Sequence, residues 1–455
     1  MRIGLKTDSR QVKPGDTFIA LKGPVTDGHD YVDVAIANGA IKVIVEHGQY
    51  PVEVEMVDDT REYFKNYLKE NYYPYIEKMK LVGITGTNGK TSIGFMTFEM
   101  LLNQGIKAGY IGTIGFHIGD KSRPLNNTTP DLDLLYNLLL ECVDASCEVV
   151  IMEVSSHALA YGRVNGLQFD VVAFTNLTQD HLDFHGTMEN YLATKQELFR
   201  MTRGAKIAVI NGDDAHAKDF VLPENRNILI KSQDGDVTIE DYTIEHTHTN
   251  LEFSYLAKSY RTTINLIGKY NIYNYLTSLM IAVNLGCDVD ALLDKNELVQ
   301  APTGRMSYLK KGTNSIFIDY AHTPDAIENV AKTIKETTAR KIVTLIGCGG
   351  NRDKTKRPLM AATACKYSDL AIFTNDNPRN EAPDAIIADM TAGLDYDNYV
   401  VIKDRAQAIR YGIDQLENND VLLVLGKGHE NYQIINGEKF HFSDFEEVEK
   451  YLKDL

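Results

Sequence analysis

The 455-residue sequence contains no apolar run close to the roughly 20 residues that a membrane-spanning helix needs. It is also short of positive charge: 47 Lys and Arg stand against 63 Asp and Glu, a formal charge of −16. Nucleic-acid surfaces gather basic residues on one face, so no nucleic-acid partner is expected. Cysteine is scarce and unpatterned. Cys142, Cys147, Cys287, Cys348 and Cys365 are an odd set without a Cys-x-x-Cys pair. They read as reduced thiols of a cytoplasmic protein, not as a disulfide or zinc framework. The opening Met1-Arg2-Ile3-Gly4-Leu5-Lys6-Thr7-Asp8 is too polar for a signal peptide. Fixed-period repeats, low-complexity tracts and long linkers are missing too. What remains is an ordinary globular composition, 44% hydrophobic and 24% charged. At about 150 residues per domain, the length predicts about three domains.

The rhythm of the elements divides the chain. Residues 1–79 read as a small N-terminal α/β domain. Short apolar segments at 17–21 and 43–45 alternate with a helix around 31–38, and a tyrosine-rich helix near 60–79 closes the unit. Residues 80–300 read as a central domain with a mostly parallel sheet. Strands at 81–85, 149–154 and 171–175 alternate with helices at 91–103 and 132–143. Alternating apolar and polar positions over 236–267 predict an antiparallel flap, followed by a helix at 271–285. Residues 301–455 predict a C-terminal Rossmann-like doubly wound domain, with strands at 315–319, 342–346, 370–373, 400–402 and 421–425 and a last helix ending at Leu455. The predicted class is therefore α/β in three domains.

The sharpest motif follows the strand at 81–85. Gly86-Thr87-Asn88-Gly89-Lys90-Thr91 leads from it into the helix at 91–103. Glycines let the backbone wrap a phosphate, the helix start offers free N–H donors, Lys90 reaches the terminal phosphates and Thr91 suits Mg²⁺. Ile84 stands where a strict P-loop carries Gly, so the match is to a P-loop-type turn. Glu153-Val154-Ser155-Ser156-His157 and Asp180-His181-Leu182-Asp183-Phe184-His185-Gly186 follow two further apolar strands. Glu153 and His181 are candidate ligands for a metal shared with phosphate oxygens and Thr91. Taken alone, Lys195 reads as an ordinary helix lysine, and Thr128-Thr129-Pro130 as a helix cap before Asp131.

These motifs resemble the Mur ligases, the enzymes that build the peptide stem of bacterial cell-wall precursors. The resemblance extends through Tyr191-Leu192-Ala193-Thr194-Lys195, Gly268-Lys269-Tyr270-Asn271, Thr303-Gly304-Arg305-Met306 and Asp319-Tyr320-Ala321-His322-Thr323-Pro324. Asp8-Ser9-Arg10, Asn127-Thr128-Thr129-Pro130, Gly349-Gly350-Asn351-Arg352-Asp353-Lys354, Asp376-Asn377-Pro378-Arg379 and Gly426-Lys427-Gly428-His429-Glu430 are similar to the branch that adds the third amino acid.

The resemblance implies ATP-dependent amide-bond synthesis with Mg²⁺ through an acyl phosphate, in bacterial peptidoglycan synthesis and thus in cell shape and division. It implies Lys90, Glu153, His181 and Lys195 as catalytic residues, with Thr91, Glu153, His181 and a carbamylated Lys195 around the metal. ATP would be held by Gly86, Thr87, Asn88, Gly89, Lys90, Thr91, Ser92, Asn271 and Arg305. Ser9, Asn127, Thr128, Thr129, Ser155 and Arg163 would bind UDP-N-acetylmuramoyl-L-Ala-D-Glu. Arg352, Asp376, Asn377, Pro378, Arg379, Gly426 and Glu430 would bind the incoming amino acid. That amino acid is expected to be meso-2,6-diaminopimelate, because Arg379 offers a planar partner for a distal carboxylate; L-lysine is the alternative. A folylpolyglutamate synthase-like ligase and a non-catalytic nucleotide-binding scaffold are remoter readings. A cytoplasmic monomer is expected, with a third domain that closes over the acyl phosphate.

Overall fold

The computed structural model describes residues 3–23, 26–337 and 340–454. Met1 and Arg2 of the polar N-terminal run, and the expected helix end at Leu455, lie outside the described residues. Among the described residues the strands form four sheets. No helix among them is long and apolar enough to cross a membrane.

The first sheet is four parallel strands, Leu5–Lys6, Thr17–Ile19, Lys42–Val45 and Glu53–Met56, in sequence order. The tyrosine-rich stretch is two helices, Thr60–Asn71 and Tyr73–Ile76, with Pro74 in the first turn of the second. Proline lacks the N–H that continuing the first helix would need. Ile19, Ile44, Phe64 and Leu68 share one apolar cluster with Tyr136, Leu139 and Val164, which docks this unit on the next.

The central sheet has eleven strands. Lys80–Thr85 lies between Val149–Glu153 and Phe169–Phe174, parallel to both, with Ile84 opposite Glu153 and Thr85 opposite Phe174. All three are buried apolar runs, as strands covered on both faces must be. Their carboxyl ends therefore open side by side. Helix Lys269–Asn284 is buried around its whole circumference from Asn271 to Ala282 and packs beside helix Lys90–Asn103, where Ser278 Oγ donates to Ile93 O at 3.1 Å. The expected flap is three antiparallel strands, Val237–Ile244, Thr249–Tyr255 and Lys258–Ile264. Strands at Ala108–Gly112, Thr202–Asn211 and Arg226–Lys231 were not anticipated from the pattern.

The C-terminal sheet runs Ser307–Lys311, Asn314–Asp319, Val421–Leu425, Ile342–Ile346, Leu370–Phe373, Tyr399–Val401. All neighbours are parallel except the first pair. Its strand ends deliver Asp319, Gly426, Gly347 and Asp376 to one edge, where doubly wound sheets bind ligands. The reading of Thr129 as a helix cap is corrected. Helix Leu132–Asp144 starts without a side-chain cap, and the Thr129 hydroxyl instead donates to Glu153 O at 2.8 Å.

Candidate active site

The phosphate-loop motif is held by backbone geometry that side chains forbid. Gly86 sits at φ 143°, and a Cβ there would lie 1.8 Å from Thr175 Oγ1. Gly89 sits at φ 88°, with Asn274 Oδ1 2.5 Å from where its Cβ would be. The Lys90 ammonium folds over the loop and donates to Gly86 O at 2.9 Å and Thr87 O at 2.8 Å. Burial pulls its pKa below the ordinary lysine value, against the opposing pull of Glu153.

Glu153 is fully buried at its strand end. Its carboxylate accepts from Thr91 Oγ1 at 2.9 Å, from the Thr113 amide and hydroxyl at 2.9 and 3.1 Å, and from the Tyr110 hydroxyl. Four donors balance a charge that would otherwise be costly to bury. Lys195 is 1% exposed; its Nζ donates to Gly86 O at 2.8 Å and stands 4.6 Å over the Tyr191 ring. Burial, then the nearby Lys90 charge, hold its pKa well below the usual lysine range.

His181 adopts a left-handed backbone (φ 56°) at the start of helix Leu182–His185. Burial pushes its imidazole down to about 3. Asp180 Oδ2 is 3.4 Å from His181 Nε2, while its Oδ1 meets Lys356 Nζ of the third domain at 3.2 Å. Burial pushes Asp180 up, yet Lys356, His181 and His322 together hold it below the ordinary carboxylate range.

Arg305 joins the two large domains. Its Nη2 donates to Thr91 Oγ1 at 3.1 Å and its guanidinium lies 4.6 Å over the Tyr320 ring. Asn88 Nδ2 reaches Asp325 Oδ2 at 3.3 Å, a second cross-domain bond. Beside them, a cleft runs from Gly89 and Ser92 past Asn271, Asn274 and Thr277 to Asn329. Asn271 is fixed there by Ile267 O at 2.8 Å and by Asn274 Nδ2 at 3.0 Å.

A second cleft continues from the phosphate loop into the third domain. Thr87, Thr91, Glu153, His181, Thr128 and Ser155 line one wall, and Arg352, Asp376, Asn377, Arg379, Gly426 and Glu430 the other. Arg379, at φ 54°, donates from Nη1 to Gly350 O at 2.8 Å. Burial, then the Arg352 charge, pull its guanidinium below its ordinary value. Glu430 accepts from Asn377 Nδ2 at 2.8 Å and pairs with the buried Lys427 at 3.2 Å; burial, then Asp376, push its pKa up. Asp376 Oδ2 is buried without a donor. Pro378 is buried under this turn, its carbonyl accepting Glu381 N–H at 3.0 Å.

Not every sequence-selected residue meets this cleft. Ser9 is buried in the first unit, with its carbonyl accepting from Asn38, and Asn127 is exposed beyond strand Lys121–Arg123. Neither lines the cleft. Arg163 lies just behind it, donating to Thr129 O at 3.1 Å and pairing with Asp131 at 2.8 Å. Sequence reasoning missed Tyr110, Thr113 and Lys356 altogether. The first two sit on and beside an unanticipated strand. Lys356 had a usable signal, a cation opening a helix after a Gly-rich turn.

A phosphate loop, a buried carboxylate at the neighbouring strand end and a third domain with paired cations define a multidomain α/β ligase. The chain belongs to the Mur ligase family. Residues 3–85 match the family's "Mur ligase family, catalytic domain", 84–282 its "Mur ligase middle domain" and 304–428 its "Mur ligase, glutamate ligase domain". The chain is 40% identical over 457 residues to the UDP-N-acetylmuramoyl-L-alanyl-D-glutamate–2,6-diaminopimelate ligase of Geobacillus thermodenitrificans, covering 97% of this chain and 93% of that protein. It is 39% identical over 451 residues to the protein of the same name from Aquifex aeolicus, covering 99% and 93%. A solved structure of an enzyme of that name superposes with a TM-score of 0.70 at 33% identity, covering 100% of this chain and 95% of the other.

Proposed function

We propose that this chain joins meso-2,6-diaminopimelate to the D-Glu of UDP-N-acetylmuramoyl-L-Ala-D-Glu, using ATP, in peptidoglycan precursor synthesis. The observation that carries this reading is the third-domain wall, where Arg379 and Arg352 stand beside the unpartnered Asp376 carboxylate oxygen. A distal carboxylate and a distal ammonium answer both features; lysine has only the ammonium. In the reaction the substrate carboxylate attacks the γ-phosphate of ATP, releasing ADP and forming an acyl phosphate. The free amine of the amino acid then attacks the acyl carbon, phosphate leaves, and the amine proton passes to solvent. Such transfers between anions depend on positioning and charge neutralisation. Residues 1–79 would hold the nucleotide-sugar, 80–300 ATP and 301–455 the amino acid, in a cytoplasmic monomer.

Lys90 is suited to exchange its two loop carbonyls for phosphate oxygens. Arg305, already on Thr91, is suited to the same anion. Among the described residues no three His, Cys, Asp or Glu side chains form a group that could hold a metal ion. The Thr91 hydroxyl, the Glu153 carboxylate and the His181 imidazole line one cleft, and oxygen-rich donors of this kind fit Mg²⁺. When bound, Mg²⁺ would neutralise charge on the phosphates. Lys195 is proposed as its partner in carbamylated form. Burial lowers the Lys195 pKa and so favours the neutral amine, the form that attacks CO₂; an N–C bond forms, a proton is lost, and the amine becomes an anionic carbamate with oxygen atoms to offer a metal.

The test follows phosphate release with ATP, Mg²⁺ and UDP-N-acetylmuramoyl-L-Ala-D-Glu, adding meso-diaminopimelate, L-lysine or no amine. Release that depends on diaminopimelate is expected. Release with lysine alone would reassign the amino acid, and none with either would overturn the ligase reading.

A further inference from the structure

Two loops carry the guanidinium groups assigned above to the amino acid, and one buried arginine touches both. We propose that Arg357, together with Glu381, is a positioning pair that sets the spacing of Arg352 and Arg379 and thereby the affinity for the diamino acid. The inference rests on the proposed function and deepens it.

The loops after strands Ile342–Ile346 and Leu370–Phe373 are laced together. Gly350 N–H donates to Asn377 O at 2.9 Å, Arg379 Nη1 returns to Gly350 O at 2.8 Å, and Asn380 N–H donates to Asn351 Oδ1 at 3.1 Å. The approach is so close that a Cβ at Gly350 would lie 2.0 Å from Pro378 O. Lacing joins the loops to each other but does not anchor them to the domain.

The Arg379 loop is also held through its backbone, which pairs with Ile434 and Asn436, and Arg357 adds the anchor that both loops share. It lies in the first turn of helix Lys356–Tyr367 and is 1% exposed. Its guanidinium donates to both Glu381 oxygens at 3.0 Å, to Asp389 Oδ2 of helix Pro383–Thr391 at 2.7 Å, and to Gly349 O at 3.2 Å. Glu381 also accepts the Asn351 amide, next to Arg352. One planar fork thus ties both loops to two helices.

The anchor has a force to resist. Arg352 and Arg379 carry like charge on adjoining loops, and that repulsion adds to burial in pulling the Arg379 guanidinium below its usual value. Asn351 and Arg379 also hold left-handed backbones, φ 51° and 54°, which persist only where the surroundings impose them. A lysine at 357 has its three donors on a single nitrogen and cannot reproduce the planar fork that meets Glu381, Asp389 and Gly349 from two nitrogens.

The experiment is initial-rate kinetics on the full chain, wild type, Arg357→Lys and Glu381→Gln, varying each substrate in turn. For Arg357→Lys the KM for meso-diaminopimelate is expected to rise about tenfold or more, with kcat and the KM values for ATP and nucleotide-sugar within about twofold. Glu381→Gln should show the same pattern more weakly, and it carries the test if Arg357→Lys does not fold. A parallel rise of all three KM values, or a fall in kcat and melting temperature with KM unchanged, would overturn the proposal. If the wild type turns over and both variants keep its KM, the inference fails alone. If the wild type shows no diaminopimelate-dependent release, the underlying reading fails and takes the inference with it.

Discussion

Lys195 and Arg379 show how much one side chain's surroundings decide. On the sequence Lys195 is an unremarkable helix lysine, but in the fold it is 1% exposed, with its Nζ on Gly86 O and Lys90 close by. Burial lowers its pKa and so favours the neutral amine, the form that reacts with CO₂. Lys195→Ala is expected to abolish turnover while leaving the fold intact, and intact-protein mass spectrometry should find one CO₂ on the wild type and none on the variant. Near-normal activity would end the assignment. At Arg379 the loss is selective. Arg379→Ala should raise KM for diaminopimelate about tenfold or more, since hydrogen bonds to charged groups are worth about 1.5–3 kcal/mol. The KM for ATP should not move; if it does, Arg379 is holding the cleft as a whole.

Among elements, the phosphate loop and the paired third-domain loops behave differently under substitution. Gly86→Ala puts a methyl 1.8 Å from Thr175 Oγ1 in a backbone that L-residues avoid. A loss of at least about 1–3 kcal/mol of stability is expected by urea titration, along with loss of nucleotide binding. The Glu381 brace has a pH signature. Hydrogen bonds from Arg357 hold its carboxyl at about 2, below the ordinary 4.5. A depressed folded-state value means the stabilisation is complete above about pH 4.5 and is lost as pH falls towards 2. Melting curves across that window should flatten in Glu381→Gln relative to wild type, and parallel curves would remove the brace from the account. Strands at Ile342–Ile346, Leu370–Phe373 and Val421–Leu425 were legible to the residue because they are short runs of apolar residues, broken only by the β-branched Thr344. Ala108–Gly112 and Thr202–Asn211 were not. The first carries two glycines and the second is exposed at 204–206, so pairing with neighbours, not local preference, makes them strands.

For the molecule as a whole, a charge of −16 surrounds clefts lined with cations, which include Arg305 and Lys356 besides Lys90, Arg352 and Arg379. The buried Asp180–Lys356 pair, with Asn88–Asp325 and Arg305–Thr91, links the central and third domains. Removing one partner of a buried pair leaves an uncompensated charge and costs about 3–5 kcal/mol. Lys356→Met should therefore loosen the docking of the third domain on the central one, seen as a larger radius of gyration in small-angle scattering. An unchanged radius would show that the other contacts suffice. The local order of strand, glycine turn and helix determined the phosphate loop, because its geometry depends on residues within a few positions of one another. So did the third-domain motifs, each confined to one strand end. Only the tertiary structure decided which charges meet. Tyr110 and Thr113 reach Glu153 from 43 and 40 residues away, and Lys356 reaches Asp180 across 176. Such pairings follow from strand order and domain docking, which long-range packing fixes and no local pattern encodes.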